Sequence, residues 1–197
     1  MIYQNFRNHL SKILGVPIDN LDFCTSHYEI KEVKKNEIIL RQGEISDSTF
    51  FVEKGLLRMY SIDKAGKEHV IQFAPENWLL SDTTSQLLNE KSRFYIEAIE
   101  ESIVIVMKDG FFESLSKIYP DVAEKNQRLM INHIKNLQNR VNALISTTAE
   151  ERYMDFLKRY PNLMLRAPQW MVASYLGITP ESLSRVRKEL ANKKFII

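Results

Sequence analysis

Three things are scarce in this chain: cysteine, the turn-formers glycine and proline, and long apolar runs. Cys24 is the only cysteine among 197 residues. That excludes an intrachain disulfide and a multi-cysteine metal cluster, and it fits a reducing compartment. Six glycines and six prolines leave no room for a collagen-like or low-complexity architecture. No apolar run approaches the ~18 residues of a membrane span, and the amino-terminal MIYQNFRNHLSKIL lacks an apolar core and a small-residue cleavage site. A cytoplasmic protein with no membrane partner is expected. Catalytic signatures are missing as well, with no H-E-x-x-H, G-x-S-x-G or P-loop. His69 stands in His-Val-Ile rather than in an H-x-H pair, and His9, His27 and His133 are scattered. Such a set assembles no metal site, so neither an enzyme nor a carrier of a metal or cofactor is expected.

Charge is present, but unevenly placed. The net value is only +2, yet residues 146–197 hold nine Lys/Arg against five Asp/Glu, while residues 1–145 hold 18 against 20. An acidic or neutral module joined to an anion-binding one is the arrangement expected.

Residues 3–28 read as helical, with Phe6, Leu10, Ile13 and Leu14 on one face, a break at Pro17, and Leu21 and Phe23 resuming the pattern. From about Glu29 the rhythm changes. Thr49–Val52, Leu56–Ile62, His69–Phe73, Arg93–Ile99 and Ser102–Met107 read as short strands, with turn signals at Gly43, Gly55, Gly66 and Pro75. Strands at this spacing predict an antiparallel sandwich or barrel. Gly110–Tyr119 then reads as a short helix stopped by Pro120. Asp121 to Ile145 contains neither Gly nor Pro, and Val122, Leu129, His133 or Ile134, Leu137, Val141, Leu144 and Ile145 recur at three- and four-residue spacing. That stripe either packs on its own domain or forms a coiled-coil seam with a second copy of the chain; spacing leaves both open.

After Ser146-Thr147-Thr148, where a helix can be capped, the spacing predicts helices over Ala149–Tyr160, Pro168–Leu176 and Thr179 to about Asn192. On a helical wheel the last of these gathers Leu183, Val186 and Leu190 on one side and Glu181, Ser184, Arg185 and Lys188 on the other. Val172, Ala173 and Leu176 give the preceding helix a matching apolar face, and Gly177-Ile178-Thr179 joins the two. A helix, a short Gly turn and a second helix with a polar first half form a helix-turn-helix. Its chemistry is one of reach. Arg forks onto guanine, Glu accepts from cytosine, and Ser bonds to either base or phosphate. Glu181, Ser184 and Arg185 are therefore the candidate base readers. Thr179, Ser182, Arg187 and Lys188 are candidates for phosphate, with Lys193 and Lys194 adding general attraction.

VASYLGITPESLSRVRKEL resembles the helix-turn-helix of the Crp/Fnr transcription regulators, whose pattern is close to I-A-x-x-L-G-x-T-x-E-x-x-S-R. Val172, Ala173, Leu176, Gly177, Thr179, Glu181, Ser184 and Arg185 fit it. The resemblance extends to the turn pattern at Gly43-Glu44, Lys54-Gly55 and Gly66. It implies an α+β chain: a cyclic-nucleotide-binding-like double-stranded β-helix, or jelly roll, over residues 1–120, a dimerisation helix over 121–145, and a DNA-binding helix-turn-helix domain over 146–197. It also implies a homodimer on a near-palindromic, TTGA-like DNA site, with RNA polymerase as a further partner. Leu129, His133, Leu137, Val141 and Leu144 would face the second copy. The chain departs from the family's cyclic-AMP sensors at three places. Leu80-Ser81 stands where a Gly-Glu pair belongs, Ser92-Arg93 stands where Arg-Ser belongs, and Leu137-Gln138 replaces the polar pair that meets adenine. An effector other than cyclic AMP, or none, is expected, with Ser81, Asp82, Ser92, Arg93, Leu137 and Gln138 marking the candidate pocket. One cysteine likewise fails the four-cysteine iron–sulfur set of the redox branch. Only Lys193–Ile197 follow the last helix, so the β-hairpin wing of many relatives is expected to be truncated or absent. The alternative is a small-molecule-binding regulatory module acting through a protein partner.

Overall fold

The structure is a computed structural model that describes residues 3–15 and 26–194. Cys24, Pro17, Leu21, Phe23 and the final Phe195–Ile197 lie outside the described residues. The chain divides into two compact units. The first comprises residues 1–61 and 72–133, and the second comprises 62–71 and 134–197.

The first unit opens with helix α1 (Gln4–Leu14). This helix is shorter than the helical reading of residues 3–28. Gly15 ends it in the left-handed region at φ 70°, its N–H donating to Ser11 O, and Tyr28 already belongs to strand β1 (Tyr28–Val33). The free N–H groups of Asn5 and Phe6 donate to the Glu53 carboxylate at 2.9 and 2.8 Å. An acid at a helix start is favoured by the macrodipole. Strands β2 (Ile38–Leu40), β3 (Ser48–Lys54), β4 (Leu57–Ile62), β5 (Glu68–Ala74) and β6 (Leu79–Leu80) follow. Then come helix α2 (Thr83–Leu88), strands β7 (Tyr95–Ala98) and β8 (Ser102–Lys108), and helix α3 (Phe111–Ile118). The strands form two antiparallel four-stranded sheets, ordered β1-β8-β3-β6 and β2-β7-β4-β5, which is the jelly-roll class expected.

Periodicity missed β1, β2 and β6. The last two are only three and two residues long, too short for alternation to show. It also missed α2, which tertiary hydrogen bonds hold in place.

Strand β8 carries an unbroken apolar run, Ile103 to Met107, and β3 a shorter one, Phe50 to Val52, because both their faces are covered there. In register, Phe51 opposes Ile105 and Thr49 opposes Met107. On that face Phe51, Ile105 and Met107 pack with Phe6 and Leu10 of α1 and with Phe111 and Leu115 of α3, all essentially buried. Phe50, Val52, Val104 and Val106 are buried on the other face. Gly55, at φ +99°, turns β3 into β4 against Ser102, where an added Cβ would overlap Oγ and lie 2.7 Å from Cα. No side chain fits there.

Helix α4 (Val122–Ser146) runs 25 residues, ~37 Å at 1.5 Å per residue. It gives residues 122–133 to the first unit and 134–146 to the second. The second unit then adds α5 (Ala149–Arg159), a single 3-10 turn (Leu163–Leu165), α6 (Gln169–Leu176) and α7 (Pro180–Lys194). Thr148 and Glu151 cap α5 reciprocally. Thr148 Oγ1 accepts the Glu151 N–H at 3.2 Å, and the Glu151 carboxylate accepts the Thr148 N–H at 2.8 Å. Tyr153, Phe156, Tyr160, Met171, Val172, Leu176, Leu183 and Val186 form the core of these helices. α7 takes in the backbone of Lys193 and Lys194, two residues beyond the helix end expected at about Asn192.

Candidate nucleic-acid interface

α6 ends at Gly177, whose backbone is left-handed at φ 67° and whose N–H returns to the last turn of the helix. Two residues later a new helix starts. The Thr179 hydroxyl accepts the Ser182 N–H at 3.2 Å and lies 3.2 Å from the Ser182 hydroxyl, the geometry of an N-cap. Thr179 and Ser182, both expected to steady a phosphate, are thus engaged by the helix start itself. Leu183 and Val186 are buried against α5 and α6. Ser184 and Arg185 between them, and Arg187, Lys188 and Glu189 beyond, are left to solvent.

On that outer face Glu181, Ser184 and Arg185 are all exposed, and so are Arg187 and Lys188. No ion pair joins Glu181 to Arg185 among the described residues. The Glu181 carboxyl is held below its ordinary range, first by its own backbone N–H and then by the Thr179 hydroxyl, so it is an acceptor at neutral pH. The face therefore offers one acceptor, one hydroxyl and a planar guanidinium within about a turn and a half, flanked by cations. That set can read base edges and touch phosphates.

An arginine that sequence reasoning passed over supports the turn. Arg152, on α5, donates to Leu176 O at 2.9 Å and to Thr147 O, so one guanidinium ties the carboxyl ends of α6 and α4 together. No periodicity marks such a residue, because its partners are backbone carbonyls distant in sequence.

The candidate effector residues are only partly gathered. Ser92 Oγ donates to Asp82 Oδ2 at 2.7 Å, and Asp82 Oδ1 accepts the Ser85 N–H at 3.2 Å, capping α2. Ser81 Oγ lies 3.1 Å from Thr83 Oγ1. Asp82, Ser85 and Ser92 are buried, whereas Arg93 is exposed. Arg93 was read as the start of a strand. It instead lies in a turn before β7, because the Ser92 hydroxyl accepts the Phe94 N–H at 3.0 Å and folds the backbone locally. Leu137 and Gln138 belong to the second unit.

Along α4, Met130, Ile134, Leu137, Val141 and Leu144 form a three-four repeat, each between 37% and 56% exposed. His133 is exposed and Leu129 half-buried, so these two flank the stripe rather than centre it. Among the described residues no helix is long and apolar enough to cross a membrane. Nor does any group of three or more His, Cys, Asp or Glu among them lie close enough to hold a metal.

Residues 30–119 match the family model described as Cyclic nucleotide-binding domain. Over 167 residues the chain is 26% identical to the anaerobic regulatory protein of Pasteurella multocida, covering 79% of this chain and 60% of that protein's length. Over the same number of residues it is 29% identical to the transcriptional activator protein anr of Pseudomonas aeruginosa, covering 79% and 68%. Among solved structures it resembles FixK2 from Bradyrhizobium japonicum, with a TM-score of 0.73, 21% identity, and coverage of 85% of this chain and 86% of that one. A transcriptional regulator of the CRP/FNR family from Thermus thermophilus gives a TM-score of 0.67 at 16% identity, covering 84% and 87%. By these likenesses the chain carries a cyclic nucleotide-binding domain over residues 30–119 and is similar to regulators of the Crp/Fnr type.

Proposed function

We propose that the protein is a sequence-specific DNA-binding transcription regulator that acts as a homodimer. The observation that carries this is α7. Its apolar side is buried, while Glu181, Ser184 and Arg185 stand exposed just beyond a left-handed Gly turn. A helix presented this way fits a major groove with its first turns on base edges. Glu181, Ser184 and Arg185 read bases. Arg187 and Lys188 neutralise phosphates, and Thr179 and Ser182 hold the helix start that faces them.

The apolar stripe of α4 supports the dimer. Five apolar side chains at heptad spacing, each more than a third exposed, cost free energy in water, and a second α4 removes that cost. In this reading residues 1–120 carry the sensor, 121–145 the dimer helix and 146–197 the DNA contacts. The site is near-palindromic and TTGA-like, and RNA polymerase is the further partner. The effector is a molecule other than cyclic AMP, or there is none. The hydrogen bonds among Asp82, Ser85 and Ser92 favour that reading, since these groups already satisfy one another.

Selection from randomised duplexes, followed by salt titration on the winner, tests the function. An inverted repeat and affinity falling steeply with salt are expected. A selection that returns no inverted repeat rejects the reading.

A further inference from the structure

Residues 62–71, the tip of the β4–β5 hairpin, are part of the second unit. Two side chains hold them there. Ser174 of α6 accepts the Val70 N–H at 2.9 Å and donates to Glu68 O at 3.2 Å. Arg140 of α4 donates to Ile71 O at 2.6 Å and Val70 O at 3.1 Å, and also to Tyr175 O of α6 at 2.9 Å. Its guanidinium carbon lies 3.8 Å from the centre of the Tyr175 ring. Five hydrogen bonds from two side chains thus join α4, α6 and one short backbone segment.

The join sits at the carboxyl end of α6, just before Gly177. Only Gly177, Ile178 and Thr179 separate α6 from the first residue of α7. Buried Val172, Ala173 and Leu176 on α6 and Leu183 and Val186 on α7 make the helix pair one packed body, and packed interiors transmit displacement rather than absorb it. We propose that Arg140 and Ser174 are positioning residues: by fastening the hairpin tip to α6 they set the attitude of α7, and so the reach of Glu181, Ser184 and Arg185. The hairpin tip is then a working part of the DNA-reading unit. This inference rests on the DNA-binding reading.

Lysine cannot replace Arg140 in this role. A planar fork serves three carbonyls and a ring face together, whereas an ammonium group is a point charge. Arg140→Lys therefore keeps the charge and loses the geometry, and Ser174→Ala is a mild change on the other side of the join. Both variants of the full chain are compared with the parent by amide hydrogen exchange without DNA, at conditions where each melts cooperatively. They are then compared by binding to the selected duplex and to random duplex at several salt concentrations. Exchange should quicken at residues 68–71 and also at 177–183. Affinity for the selected duplex should fall about tenfold, about 1.4 kcal/mol, with random-duplex affinity and salt slope unchanged. Unchanged exchange at 177–183 in both variants, or parent behaviour in Arg140→Lys, overturns the proposal. If exchange responds but the parent prefers no duplex, the DNA reading fails and the positioning join stands.

Discussion

Arg58 and Glu97 oppose each other on β4 and β7, both buried, with Arg58 Nη2 and Nε donating to Glu97 Oε2 at 2.6 and 3.1 Å. The guanidinium carbon also lies 4.0 Å from the Tyr60 ring centre. Removing one partner strands a charge in the roll, so Arg58→Met should destabilise by roughly 3–5 kcal/mol, and adding Glu97→Leu should recover most of the loss. Denaturant titration of the single and double variants decides this, and an additive double variant contradicts it. His9 poses the opposite problem. Its ring packs 4.9 Å from that of Phe51, and burial first, then nearby Lys12, lowers its pKa below the ordinary 6.5. The unfolded chain then binds the proton more readily. Stability contributed by neutral His9 is full above about 6.5 and drains as pH falls toward the lowered folded value. His9→Phe should flatten the decline of melting temperature between about pH 7.5 and 5.5; a parallel decline would remove His9 from the account. On α7, Arg185→Ala should cost ~1–3 kcal/mol on the selected site and flatten sequence preference, while Lys188→Ala should weaken all duplexes alike and lower the salt slope by about one.

Among the elements, the turn between α6 and α7 is the most exacting. Gly177 is left-handed, and an added Cβ would meet Leu144 Cδ2 at 2.9 Å. Gly177→Ala should cost about 1–2 kcal/mol from backbone conformation alone. It should also blunt DNA discrimination before it unfolds the second unit, as thermal melting alongside binding would show. Sequence signals for these helices were strong because each carries its own punctuation. Thr148 with Glu151 marks one start, Gly177 one end, and Pro180 another start. Strands β2 and β6 carried no such signal. Ile38–Leu40 and Leu79–Leu80 are short, and partners remote in sequence define them, Glu97 and Ile96 for the first and Phe50 and Phe51 for the second.

For the molecule as a whole, the exposed seam of α4 sets the expectation. Val141→Glu places a charge in the middle of the stripe and should convert dimer to monomer in sedimentation or native mass spectrometry. Affinity for an inverted repeat should drop sharply, while single half-sites bind as weakly as before. In the parent, the two recognition helices should protect sites about one helical turn apart, ~34 Å. A monomeric parent that still protects a two-fold site would contradict the pairing.

Amino-acid order by itself determined the α+β class, the long helix and the helix-turn-helix, together with which face of α7 is polar, because helix periodicity and caps are local properties of the chain. It also marked Glu181, Ser184 and Arg185 as one set. Tertiary structure alone decided that Ser92 turns to Asp82, that Arg58 meets Glu97, and that Arg140 and Ser174 fasten residues 68–71 to α6. These depend on backbone carbonyls and side chains that are far apart in sequence, and a hydrogen bond between distant groups leaves no period to read.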